Sequence, residues 1–348
     1  MEKICISIKD CELGQIIGQK VVSKYGATVV VENTTINSYI KNKLTAFEVD
    51  YIWIYGVGID ESVKYKDIAF KQLKERYNKN VLAVKEILND LSKGKNVSIE
   101  KINLVSNSLY EPIDSEYYVV RCLSELKSVD DYTFIHSINV SMYAMLLGKW
   151  LLLPQSKIVD LIHAGLLHDV GKTKISNLIL NKKGKLEIGD FQQIKKHPIY
   201  SFEIIKSIEG VSAESKDAVL KHHEREDKSG YPSGVGGSEM SICSKVIAIT
   251  NFYDSITSER AYRKRVNPFE AFEIIQGQAM TKFDIHIVNT FLSNIATCYI
   301  GSKILLSNGQ TGEIVYVPPQ VITKPIISIN SEYFDLSKDN KVKIVKML

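Results

Sequence analysis

Cysteine is scarce and unpatterned in this chain. The five (Cys5, Cys11, Cys122, Cys243, Cys298) are scattered over 348 residues, odd in number and without the close spacing of a thiolate metal site. That argues against a disulfide framework and points to free thiols in a reducing compartment. Long apolar runs are missing too: charge interrupts the longest of them, as Lys149 interrupts Ala144–Leu153, so no membrane span is expected. The N-terminal stretch lacks signal-peptide form, and a soluble cytoplasmic protein is the expectation. A net charge of +4 is too small to argue for binding a polymeric nucleic acid. Repeats and low-complexity tracts are absent. What remains is ordinary globular composition, 45% hydrophobic and 24% charged, with room for two or three domains whose cores need no disulfides.

Three compositional zones follow one another. Residues 1–60 hold strand-like runs at Lys3–Ile8, Ile16–Val22, Thr28–Val31 and Tyr51–Tyr55, with a helical pattern over Ile36–Phe47 among them, which predicts a small α+β module. Residues 61–119 begin with a Lys-rich stretch whose apolar residues (Ile68, Phe70, Leu73, Tyr77, Val81, Val84, Ile87, Leu91) recur at helical spacing, an amphipathic connector that ends near Gly94. Residues 120–297 are periodic at the helical repeat almost throughout. Helices are predicted over Tyr132–Leu153, Ile158–His168, 242–258 and 268–279, another starting at Pro198, and a last one capped by Asp284. Gly171 is expected to serve as a helix C-terminal glycine. Residues 298–348 return to strands, at Ser302–Leu306, Glu313–Val317, Ile326–Ile329 and Val342–Val345, separated by Asn308-Gly309, Gly312 and prolines. The expected fold is therefore mainly α, a helical bundle with a small α+β module before it and a small β-rich appendage after it.

Within the helical zone stand His136, the pair His168-Asp169, His197 and the pair His222-His223, with Gly230-Tyr231-Pro232 just downstream. Histidine and aspartate suit borderline and hard divalent metals. Two adjacent ligand pairs and two single histidines exceed what one ion needs. They suggest at least two ions sharing a bridging carboxylate, an arrangement that hydrolyses phosphate esters. Adjacent residues in mid-helix point about 100° apart, so each pair must lie at a helix end, where the backbone can turn. A lone His-Asp pair would carry little weight; the ordered set carries much more. His163 falls off the His168 face and reads as a packed histidine, and His286 as a surface or helix N-terminal one.

The run His136-Ser137, His168-Asp169-Val170-Gly171-Lys172, His197-Pro198, His222-His223-Glu224-Arg225, Asp227, Gly230-Tyr231-Pro232 and Arg260-Ala261-Tyr262-Arg263 resembles the HD-GYP branch of the HD-domain phosphohydrolases, over roughly residues 120–297. The resemblance implies an HD-type helical catalytic domain with two or three metal ions, usually iron or manganese, with zinc, nickel or magnesium as other candidates. The implied activity is a phosphodiesterase cleaving cyclic di-GMP or a related cyclic dinucleotide. It makes His136, His168, Asp169, His197, His222 and His223 metal ligands, with Asp169 and Lys172 at the reacting phosphate, Tyr231 lining the pocket, and Arg260 and Arg263 on substrate phosphates. The chemistry agrees: Lys172 can offset charge growing on phosphate oxygens, and two guanidinium forks three residues apart share a helix face and suit phosphate. From charge alone, however, Arg260 and Arg263 would read as a solvated basic face with Lys264 and Arg265, and Tyr231 as a turn aromatic.

Two positions depart from the family pattern. Asn251 stands where its last aspartate ligand is expected, and Asp254, three residues on, is the candidate to take that place. Tyr132 stands one turn before His136, where members with three metals carry glutamate, which argues for two ions. A degenerate domain that binds a cyclic dinucleotide or a protein with little turnover is the first alternative; an HD phosphohydrolase acting on another nucleotide is the second. The flanking modules carry no phosphoreceiver acid pocket, haem motif or GGDEF-type sequence. They suggest regulation or dimerisation, through a homodimer or a signalling partner.

Overall fold

The computed structural model describes residues 3–23, 28–32, 34–55, 59–111, 116–125, 132–180, 182, 184, 187–258, 265–339 and 341–348; for 59–69, 117 and 132 it describes the backbone only. The chain divides into two compact units, one of residues 1–72, 114–121 and 293–348, the other of 73–113 and 122–292.

In the first unit, β1 (Lys3–Ser7), β2 (Val21–Val22), β3 (Thr28–Val30), α1 (Ser38–Ala46) and β4 (Tyr51–Tyr55) form the α+β module. β1 and β4 pair antiparallel from Lys3↔Tyr55 to Ser7↔Tyr51. β4 shows the period-2 pattern of a half-buried strand: Ile52 and Ile54 enter the core while Tyr51 and Trp53 stay exposed. Asn37 caps α1 by accepting the Ile40 N–H at 2.8 Å, and Ile40 and Leu44 join Ile8, Ile17, Ile36, Ile52 and Ile54 in one core. The expected strand Ile16–Val22 is shorter in fact. Only Val21 and Val22 enter a ladder, while Ile16 and Ile17 make single bridges to Thr35 and Ile54.

The C-terminal part holds β5 (Lys303–Leu306), β6 (Thr311–Tyr316), β7 (Ile326–Ile329), β8 (Glu332–Asp335) and β9 (Ile344–Met347), an antiparallel sheet in the order β8-β7-β6-β5-β9. The two terminal modules pack on each other within this unit. The Tyr39 ring of α1 lies 5.7 Å from Tyr316 and 5.1 Å from Tyr333, and the Lys43 ammonium sits 3.8 Å from the Tyr316 ring centre.

The helices continue with α2 (Ile59–Ser92), α3 (Ile99–Tyr110), α4 (Glu116–Glu125), α5 (Tyr132–Trp150), α6 (Gln155–Leu167), α7 (Asn177–Leu180), α8 (Ile188–Ile194), α9 (His197–Ile205), α10 (Ala213–Lys221), α11 (Ile242–Thr257), α12 (Pro268–Gln278) and α13 (Ile285–Ile295). Asp284 accepts the N–H groups of His286 and Ile287 at 3.0 and 3.3 Å, the N-cap expected of it. Among the described residues no helix is long and apolar enough to cross a membrane.

The second unit is organised around α5, buried on every side from Ile135 to Leu147, as a helix at the centre of a bundle must be. It packs on α6 and α11. Gly165 sets how close α6 can come, since a Cβ there would lie 2.7 Å from the backbone N and Cα of Ser141 in α5. Gly165→Ala is expected to push the two helices apart and to cost about 1–3 kcal/mol, the usual range for overpacking. A urea-denaturation midpoint equal to wild type would contradict that crossing.

Candidate metal centre

α5 supplies His136; the end of α6 supplies His168 and Asp169; α9 opens with His197; α10 ends at Lys221, just before His222 and His223. Asp169 leaves the helix at φ −103°, ψ 3°, the turn that lets neighbouring side chains face one centre. The helix ends do more than turn the chain. The last carbonyls of a helix lack partners, and three histidines use them. His168 Nδ1 donates to Gly165 O at 2.8 Å, His197 Nδ1 to Ile194 O at 2.7 Å and His222 Nδ1 to Val219 O at 2.6 Å. His136 Nδ1 instead donates to Asp254 Oδ2 at 2.7 Å.

With all four Nδ1 protons committed, the Nε2 atoms present lone pairs. They converge: His136 and His168 Nε2 are 3.3 Å apart, and His197 and His222 Nε2 3.1 Å. Burial lowers the pKa of His136, His197, His222 and His223, keeping these rings neutral, the form that binds metal. Two donor groups result, His136–His168–Asp169 and His197–His222–His223, the donor atoms of each within 4.8 Å of one another.

Asp169 spans the two groups. Its Oδ2 lies 3.3 Å from His168 Nε2 and 3.5 Å from His136 Nε2, and its Oδ1 3.2 Å from His197 Nε2. Oδ1 is buried with no hydrogen-bond donor among the described residues. Facing lone pairs and an orphaned carboxylate oxygen repel one another in a dry interior; divalent cations relieve both at once, and a nitrogen and oxygen donor set without sulfur fits them. Lys172 Nζ lies 2.5 Å from Asp169 Oδ2. Burial opposes the charge on Asp169, but the neighbouring His168 ring and the Lys172 ammonium outweigh it and hold the carboxyl well below its usual range.

The remaining expected residues fall in different places. Tyr231 stacks on His223, ring centres 4.5 Å apart at 21°. Asn251 is buried, its Oδ1 accepting from Ser255 Oγ at 3.2 Å. Asp254 is in neither donor group; it meets His136 at the ring nitrogen opposite Nε2. Arg260 and Arg263 lie outside the described residues, as does the side chain of Tyr132. His163 is buried, its Nε2 without a partner among the described residues, and His286 is exposed at the start of α13. Gly171 differs from expectation. It lies in a 3-10 turn rather than in a left-handed helix cap, and a Cβ there would come within 2.2 Å of His197 O and 2.3 Å of Ser201 N. Close approach of α9 is what requires glycine. Ser201 then pins this junction, donating to His168 O at 2.6 Å and accepting from Gly171 N at 2.8 Å.

Sequence reasoning assigns no role to several residues that build the site. Glu224 is fully buried, and its Oε1 accepts the N–H groups of Ser233 and Gly234 at 2.7 and 3.1 Å. It thus anchors the turn that carries Tyr231. The Lys195 ammonium stands 5.0 and 5.3 Å over the Phe191 and Tyr231 rings. Asn139 donates to Asp254 Oδ1 at 2.9 Å; its place three residues after His136, on the same face of α5, is the signal that could have found it.

The family model of the HD domain matches residues 121–287. The chain is similar to a cyclic di-GMP phosphodiesterase of Pseudomonas aeruginosa, 32% identical over 60% of this chain and 50% of the relative. It is also similar to a 3'3'-cGAMP-specific phosphodiesterase of Vibrio cholerae, 31% identical over 55% and 42%, and to a cyclic di-GMP phosphodiesterase of Borreliella burgdorferi, 28% identical over 62% and 57%. The chain thus spans about half the length of these curated relatives. The solved structure of a HDG"Y"P protein from Bdellovibrio bacteriovorus superposes with a TM-score of 0.53 over 83% of this chain and 98% of that one, at 14% identity, a likeness of fold. With the ordered histidines and the Gly230-Tyr231-Pro232 turn around these two donor groups, residues 121–287 form an HD domain of HD-GYP type.

Proposed function

We propose that this protein is a metal-dependent phosphodiesterase that hydrolyses cyclic di-GMP or a related cyclic dinucleotide. The placement of Asp169, one oxygen toward the histidines of each of two three-donor groups, carries this reading, and the substrate class comes from the relatives' activities. His136, His168 and Asp169 would hold one divalent ion, and His197, His222 and His223 with Asp169 a second, iron or manganese suiting the donors best. Bound there, such a pair supplies hydroxide at neutral pH and draws charge from the phosphoryl group. Lys172, anchored on Asp169, is placed to neutralise charge on the phosphate oxygens. Tyr231 offers a ring at the edge of the histidine cluster, and Lys195 beside it a cation for a second phosphate. Arg260 and Arg263 would grip substrate phosphates from their segment. Asp254 we read as the group orienting His136, leaving position 251 to Asn251.

The test is metal analysis of anaerobically purified protein, with turnover measured on cyclic di-GMP, 3'3'-cGAMP and a non-cyclic nucleotide. About two ions per chain are expected, with hydrolysis of a cyclic dinucleotide lost on chelation and restored by Mn²⁺. Binding without turnover would favour a nucleotide-binding module, and preference for the non-cyclic nucleotide another HD phosphohydrolase. Asn251 is the observation that keeps the binding-module reading in play, because a neutral amide cannot offset cationic charge as a carboxylate does. Asn251→Asp is expected to raise metal occupancy and turnover about tenfold, roughly 1.4 kcal/mol of barrier. If occupancy and rate stay at wild-type level, asparagine is a competent ligand here.

A further inference from the structure

Behind His136 runs a buried chain of polar groups that ends outside the matched HD domain. Tyr77, on α2, is 2% exposed, Asn139 1%, Asp254 0% and His136 1%. The Tyr77 hydroxyl donates to Asn139 Oδ1 at 2.8 Å. Asn139 Nδ2 donates to Asp254 Oδ1 at 2.9 Å, and His136 Nδ1 donates to Asp254 Oδ2 at 2.7 Å. Ser258 Oγ also donates to Asp254 Oδ1, at 3.1 Å.

The carboxylate fixes every direction in this chain, because it can only accept. His136 must place its proton on Nδ1, which bares Nε2 toward His168 and Asp169. Asn139 must turn its NH₂ to Asp254, which leaves its carbonyl for a donor, and Tyr77 is that donor. Burial, and next the charge of Asp254, hold the Tyr77 phenol well above its usual range, so the hydroxyl keeps its proton. Partners of this kind behind a metal-ligating histidine set its tautomer and ring angle, and losing one typically costs tenfold to a hundredfold in metal affinity.

We propose that Tyr77 is a positioning residue for the His136 group, acting through Asn139 and Asp254 to hold the His136 ring and its bare Nε2 in ligating geometry. This rests on the two-ion phosphodiesterase reading above. Tyr77 contributes it from α2, beyond residues 121–287.

The test is calorimetric titration of the metal-free 348-residue chain with Mn²⁺, for wild type, Tyr77→Phe and Asn80→Ala. Phenylalanine keeps the packed ring and removes one oxygen. Asn80→Ala removes another buried polar contact of α2, to Ser108 Oγ at 3.1 Å, and controls for general loosening. In Tyr77→Phe one of two Mn²⁺ affinities is expected to fall about tenfold and the other to stay, while Asn80→Ala changes neither. Excess Mn²⁺ should restore kcat on cyclic di-GMP in Tyr77→Phe, with KM as in wild type. Unchanged affinity at both sites, or equal weakening of both sites in both variants, overturns the role of Tyr77. A wild type that takes up no second ion overturns the two-ion reading itself.

Discussion

Asp169→Ala is expected to empty both metal groups and to lower phosphodiesterase activity by at least about a thousandfold, the upper scale for removing one preorganised electrostatic group. Each group would lose its only anionic donor, leaving neutral imidazoles to hold dications alone. The Lys172 ammonium, now without its carboxylate at 2.5 Å, would face the histidine nitrogens as an uncompensated positive charge and oppose metal entry further. Helical content should persist, because α5, α6 and α11 are held by apolar contacts around Asp169 rather than through it. The measurement is metal content and turnover beside circular dichroism. Two ions still bound in Asp169→Ala would sink the bridged arrangement. His163→Ala makes the comparison: equally buried and five residues away from His168, it should keep its metal and lose packing alone.

Glu224→Ala is expected to lower both stability and activity. The carboxylate is fully buried and accepts two backbone N–H groups of the turn after Pro232. Alanine leaves both donors without an acceptor in a dry place, at about 1–3 kcal/mol each. The turn can escape that cost only by moving toward water, and it carries Tyr231 off the His223 ring when it moves. We expect kcat/KM to fall about a hundredfold, roughly 2.7 kcal/mol, with KM rising, because the residues displaced include Tyr231, which we propose to line the substrate pocket. Glu224→Gln keeps a carbonyl acceptor for the same two N–H groups and should recover most of the loss. If Glu224→Ala matches wild type in both urea midpoint and KM, Glu224 does not anchor the turn.

Much of the centre is legible in the order of the residues alone. Histidines in sequence with one aspartate among them name a divalent-metal chemistry, because few side chains offer neutral nitrogen and hard oxygen together. Hydrophobic periodicity likewise announces the helical zone and the strands at both ends, and Asp284 announces the start of α13. These are local properties: a period, a cap or a ligand type is written in the residues that carry it. Pairings between distant segments are not. Gly171 looks like a helix stop along the chain, yet the reason for glycine is the His197 carbonyl, twenty-six positions away and within 2.2 Å of where a Cβ would stand. Glu224 stands in the run His222-His223-Glu224-Arg225 with no role that the sequence assigns; its role follows from the path of the turn, which buries it.

Asp254 makes the division plainest. The order of residues establishes that a second carboxylate stands one helical turn beyond Asn251, within range of a ligand role. Which face of His136 it meets follows from three-dimensional packing and from nothing local. α5 and α11 pack so that Asp254 reaches Nδ1 and not the cluster side. Helix packing sets that choice, because which residue of α5 comes within hydrogen-bonding reach of Asp254 depends on how the two helices are rotated about their axes, and neither helix records that along its own sequence.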